Sequence, residues 1–169
     1  GLEKMNCWQI HWLDKDNLLS CVGEVGLLRS TDGGKSWGLD YAGLTAKTMY
    51  RLVETPSGML YGACSDVEGI YETVQPIDAT LYLPDSNGKV VCSIDRGANW
   101  TTIHTFNHPV YWLALDPNSS NTLYASVVHN VDGGIWVTNN LDKGTKSVWT
   151  KLPNPPRTEG HPSNIVIKG

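Results

Sequence analysis

Carboxylates in short glycine-bearing segments between apolar runs are the residues of this chain best suited to chemistry. Glu24 stands in Gly23-Glu24-Val25-Gly26-Leu27, and Asp66 and Glu68 in Ser65-Asp66-Val67-Glu68-Gly69-Ile70. Asp132 follows Asn130 in Asn130-Val131-Asp132-Gly133-Gly134-Ile135. A carboxylate at a strand end can exchange a proton with a bound substrate, or it can hold a turn by accepting backbone amides. The residue types alone leave both roles open. Tyr71, Tyr82, Trp112 and Trp136 offer flat faces that would cover the apolar side of a sugar ring while nearby polar groups take its hydroxyls. Ordinary packing between strands accounts for such aromatics equally well.

The remaining reactive side chains are less promising. His108 and His161 fall in or near connections, and His129 abuts the third acidic segment. No pair has ligand-like spacing, so solvated loop histidines are expected. Cys7, Cys21, Cys64 and Cys92 lie far apart, without the close pairs a tetrahedral metal site needs, and are expected as small core residues. No metal and no organic cofactor is implied.

The formal charge of -4, with Lys and Arg scattered singly, lacks the clustered basic surface that phosphate backbones require, which excludes nucleic acid as the expected partner. The apolar stretches are too short for a membrane span, and the first residues show no charged-then-apolar leader. Seven Trp, seven Tyr and 17 Gly, with hardly any periodicity of 3.6, lean toward an all-β chain.

Self-similarity decides the architecture. Ser30-Thr31-Asp32-Gly33-Gly34-Lys35-Ser36-Trp37 recurs as Ser93-Ile94-Asp95-Arg96-Gly97-Ala98-Asn99-Trp100, with Ser30/Ser93, Asp32/Asp95, Gly34/Gly97 and Trp37/Trp100 at identical offsets. A stretched third copy runs from Thr138 through Asn140, Asp142 and Gly144 to Trp149, with about four extra residues in its turn. In a tight hairpin the Asp carboxylate accepts backbone N–H groups, Gly takes a positive φ, and Trp packs on a neighbouring strand. Asp32 and Asp95, an acidic pair by composition, are therefore expected to be structural.

This pattern resembles the Asp-box, or BNR repeat, of sialidases, sortilin-type receptors, photosystem assembly propellers and some plant-polysaccharide hydrolases. The resemblance implies β-propeller blades of four antiparallel strands, each closed by a box. The expected blades span about 5–41, 49–104 and 110–152, and 163–169 begins a fourth. Within them, strands are expected at Ser36 to Tyr41, Val148 to Leu152 and Asn164 to Lys168, among others. An excursion from Thr73 to Gly88 lengthens the connection between the second and third strands of blade two. Propellers have roughly four to eight blades, so three and a beginning do not close a ring of six to eight. The remainder is expected on residues outside this chain, with a ring of several copies or an open arc as the alternatives.

In such a blade the connection between strands two and three opens on the face where ligands usually bind, and the boxes lie on the opposite rim. The acidic two–three segments look like the catalytic loops of inverting xyloglucanases, which are tandem Asp-box propellers. The resemblance implies that one carboxylate serves as general base on water and the other as general acid on the glycosidic oxygen. The matching positions are Glu24 and Asp66; Glu24 stands where the family has Asp, and Glu68 where the loop has Gly. The family draws its carboxylates from two facing propellers, so this chain would carry half a site. Glu68, Tyr71, Tyr82, Trp112, Asn130, Asp132 and Trp136 are the expected substrate contacts.

The expected partner is a polysaccharide or oligosaccharide, and the expected location is extracellular or in the cell envelope. The alternative is a non-catalytic propeller, like the sortilin or assembly-factor types, that binds a peptide or protein on the same face. A sialidase is disfavoured by the few arginines, Arg29, Arg51, Arg96 and Arg157.

Overall fold

The computed structural model describes residues 5–67, 86–129, 131–154, 156 and 161–169. Eleven strands follow one another: β1 (Cys7–Trp12), β2 (Leu18–Val22), β3 (Gly26–Ser30), β4 (Thr48–Glu54), β5 (Leu60–Ser65), β6 (Lys89–Ser93), β7 (Thr101–Thr105), β8 (Val110–Asp116), β9 (Ser119–Val127), β10 (Gly134–Thr138) and β11 (Thr150–Lys151). Sequential strands pair antiparallel within three sets: β1 to β3, β4 to β7, and β8 to β11. The first two sets are joined in one sheet by a parallel pair, Gly26 with Thr48. The chain is all-β and built of β-propeller blades. No helix among the described residues is long and apolar enough to cross a membrane.

The middle strands carry near-continuous apolar runs because both of their faces are covered. β2, β5 and β6 are buried along their whole length. Between blades one and two, Leu19, Cys21 and Leu27 meet Met49, Leu52, Leu60, Cys64 and Val91, with Trp100 in the same cluster. Between blades two and three, Tyr61, Ala63, Val90 and Ile103 meet Val110, Leu113, Leu123, Ala125 and Val127, with Leu141 and Trp149. Cys21, Cys64 and Cys92 are buried thiols as expected, but Cys7 is exposed on β1.

The repeated turn has one geometry in blades one and two. Ser30 Oγ donates to Asp32 Oδ1 at 2.9 Å, Ser36 N donates to the same oxygen at 2.9 Å, and Gly34 N donates to Ser30 Oγ at 2.9 Å. Ser93, Asp95, Gly97 and Asn99 N reproduce these bonds at 2.9, 2.8 and 2.9 Å. Trp37 and Trp100 each return Nε1 to the carbonyl of the turn glycine, Gly34 or Gly97, at 3.1 Å. These donors hold the Asp32 and Asp95 carboxyls down to about 2, with the side chains of Ser36 and Asn99 the largest cause. The stretched copy keeps the same pivot: Thr138 Oγ1 and Val148 N both donate to Asn140 Oδ1 at 2.9 Å. Its extra residues form a 3-10 segment, Leu141–Lys146.

Three expected strands come out differently. Ser36 to Tyr41 makes only the bridge Gly38 to Arg29. The chain leaves blade one early because Ala42 N bonds Ala98 O and Trp100 N bonds Ala42 O, both at 2.9 Å, which ties it to blade two. Gly43, with φ +81, sits so close to Trp100 that a Cβ would fall 2.1 Å from its carbonyl oxygen. Val148 to Leu152 shortens to β11, because Val148 N is turned to Asn140. Asn164 to Lys168 is not a strand; it lies against blade three, where Trp112 Nε1 donates to Ile165 O at 3.1 Å.

Candidate functional site

Strand directions place the start of β1, the end of β2 and the start of β3 at one end of each blade, since Cys7 pairs Val22 and Val22 pairs Gly26. The repeated turns close the opposite end. The acidic two–three segments therefore share one face, as do the entries to the inner strands β1, β4 and β8.

On that face the three blades present equivalent side chains. The last strand-two residues paired with strand three are Val22, Cys64 and Val127. Two residues beyond each stand Glu24, Asp66 and His129. Glu24 is exposed with φ +69, a left-handed conformation that tips its side chain out of the strand path. Asp66 is half-buried; its Oδ1 accepts Lys47 N at 2.9 Å, and its own N–H donates to Ser86 O at 2.7 Å. One carboxylate oxygen of Asp66 is thus engaged in the blade junction.

In blade three the position belongs to His129, expected from the sequence to be a solvated loop residue. His129 is instead buried, and its ring stacks on His108 at 3.8 Å with 17° between planes. Its Nδ1 accepts Val131 N at 3.2 Å and Asp132 N at 2.9 Å, which winds the loop around it. Asp132 Oδ2 lies 3.5 Å from His108 Nε2 and 3.7 Å from His129 Nδ1. Burial first, and the neighbouring His108 second, push His129 below the usual imidazole range. The three residues bring potential ligand atoms within 4.8 Å of one another. A cation bound through His129 Nδ1 would have to displace both amide donors.

A second feature was not read from the sequence. The register of β1 skips Trp8, that of β4 skips Tyr50, and that of β8 skips Tyr111. Each inner strand thus bulges at an aromatic residue near the loop face. The three rings meet at centroid distances of 5.3 Å (Trp8–Tyr50), 6.0 Å (Trp8–Tyr111) and 5.3 Å (Tyr50–Tyr111). Tyr50 Oη bonds Ser65 Oγ at 2.9 Å and reaches Val67 O, so the aromatic cluster anchors the Asp66 segment. The available signal was an aromatic residue at the same offset in Cys-Trp-Gln, Met-Tyr-Arg and Val-Tyr-Trp.

The expected substrate contacts separate. Trp112 is half-buried on β8 with the Arg51 guanidinium 4.2 Å above its ring. Trp136 is half-buried and packs against the core between blades two and three, 5.4 Å from Phe106. Asp132 joins the histidine pair. Glu68, Tyr71, Tyr82 and Asn130 lie outside the described residues, as does most of the excursion from Thr73 to Gly88. A cleft of about 430 Å³ is bounded by Met59, Asn99, Ile103 and Gly144 near the repeated turns.

No family model matches the chain. No curated protein matches it either. Solved structures do match in fold. A GH74 enzyme from Niastella koreensis aligns with a TM-score of 0.56 and 21% identity over 80% of this chain and 20% of that one. The GH74 xyloglucanase from Xanthomonas campestris aligns at 0.57 and 18% over 82% and 19%. A gluconolactonase from Xanthomonas campestris aligns at 0.58 and 19% over 83% and 46%. The chain spans about a fifth of the GH74 structures and under half of the gluconolactonase.

Proposed function

We propose that this chain forms three Asp-box blades of a carbohydrate-active propeller, spanning about 5–41, 49–104 and 110–152, with 163–169 entering a fourth. Its loop face binds a β-linked polysaccharide such as xyloglucan. Asp66 and Glu24 supply the carboxylates of general acid/base hydrolysis. The remaining ring is supplied by further blades, and the protein works outside the cell or in its envelope.

The observation that carries this reading is the equivalence of Glu24 and Asp66. Consecutive blades carry a carboxylate at the same register position on the same face, and the Asp66 segment is anchored by Tyr50 of the aromatic cluster. The fold shared with GH74 structures, one of them a xyloglucanase, supports the substrate class. Asp132, Trp112, Trp136, Glu68, Tyr71, Tyr82 and Asn130 remain the proposed sugar contacts.

One observation favours a second reading, a propeller that binds a glycan or protein without cleaving it. Asp66 Oδ1 already accepts the Lys47 amide, a turn-holding role that needs no substrate. Release of reducing ends from xyloglucan by the chain and by Glu24→Gln and Asp66→Asn variants separates the two. Hydrolysis lost in either variant supports catalysis, and binding without hydrolysis in all three supports the second reading.

A further inference from the structure

Arg51 holds the same position in β4 that Gln9 holds in β1 and Trp112 in β8, each directly after the bulged aromatic. Gln9 uses its whole amide on the neighbouring blade: Nε2 donates to Leu52 O at 3.1 Å, and Oε1 accepts Leu52 N at 2.7 Å. Trp112 likewise spends Nε1 on Ile165 O. Arg51 makes no such latch. Among the described residues its guanidinium has no hydrogen bond and no ion pair, and its Nε is buried without an acceptor. It lies over Trp112, 4.2 Å from the ring centroid. The nearby carboxylate on the same strand, Glu54, is taken by His11 at 2.8 Å.

A guanidinium held over an indole that is itself fixed by a hydrogen bond is restricted in where it can present its N–H groups. A buried donor without a partner is costly in a folded protein unless a water or a ligand supplies the acceptor. The planar fork of Arg matches a carboxylate in bidentate fashion. We propose that Arg51, oriented by Trp112, is a carboxylate-binding subsite among the inner strands, just inside the face that carries Glu24 and Asp66. Its ligand is the carboxylate of a uronic acid residue within or appended to the glycan. This deepens the carbohydrate reading and rests on it for the sugar, though not for the anion.

The test is a set of titrations followed by tryptophan fluorescence and by the NMR signal of the Arg51 Nε–H. The probes are a glucuronic-acid-bearing oligosaccharide, its neutral counterpart, and acetate. The expected result is binding of the acidic oligosaccharide at least tenfold tighter than the neutral one, with the Arg51 signal shifting. Arg51→Gln removes that preference, and Arg51→Lys restores only part of it because Lys lacks the fork. Thermal unfolding of both variants shows that the fold is kept. Equal binding of acidic and neutral sugars, unchanged in Arg51→Gln, overturns the subsite and leaves the carbohydrate reading standing. Acetate binding as tightly as the acidic sugar, with the Arg51 signal shifting, overturns the uronate assignment and removes this support for a sugar. No response to any carboxylate overturns the inference altogether.

Discussion

His129 occupies in blade three the position that Asp66 holds in blade two, and each accepts backbone amides, Asp66 from the segment entering β4 and His129 from its own loop. Asp66 accepts Lys47 N, while His129 accepts Val131 N and Asp132 N. The same site on the blade is thus an acid in one repeat and a neutral imidazole in the next.

That imidazole must stay neutral to keep both bonds, because protonation at Nδ1 turns the acceptor into a donor facing two donors. His129 is held below the ordinary value of 6.5. Its contribution to stability is therefore complete above about pH 6.5 and is lost as pH falls through the depressed folded value. An NMR titration of His129 should give a midpoint below 6.5, with the Val131 and Asp132 amides shifting in the same step; a midpoint above 6.5 would refute the arrangement.

The repeated turns predict a second, more acidic transition. Asp32 and Asp95 are lowered from 3.8 to about 2. Their stabilisation is present above the ordinary value and disappears as pH falls through the window from 3.8 to about 2. The Asn140 turn does not titrate. Melting temperature against pH should fall steeply in that window, and Asp32→Asn with Asp95→Asn should flatten the fall, since Asn140 shows that an amide can hold the same pivot.

Gly43 should tolerate no side chain. Alanine there would place Cβ against the Trp100 carbonyl in a left-handed backbone, and a loss of about 2 kcal/mol is expected. Chemical denaturation checks this; a change within about 0.5 kcal/mol, the range of ordinary surface substitutions, would mean that the junction between blades one and two yields.

Much of this fold was legible because the turns repeat. Ser30, Asp32, Gly34 and Trp37 recur at fixed offsets, and a turn defined by local hydrogen bonds is written in local sequence. The fourth strand of blade one was not legible, because Ala42 leaves it for Ala98, a contact between residues far apart in the chain. The His108–His129 stack was missed for the same reason, as 21 positions separate residues that the blade junction brings to 3.8 Å. Composition could not say that one side of Trp136 packs on Phe106, because it does not tell which face of a strand the next blade covers. The bulged aromatics were visible as letters but not as a repeat, since a bulge breaks the alternation by which strand faces are read.

The central claim is that Glu24 and Asp66 are working carboxylates on a glycan-binding face. Reducing-end release from xyloglucan by the chain, beside Glu24→Gln and Asp66→Asn, tests it most directly. The expected result is measurable hydrolysis that falls by roughly 10²- to 10⁴-fold in each variant while the melting temperature holds. Hydrolysis undiminished in both folded variants, or none from the unaltered chain on any β-glucan, would contradict it.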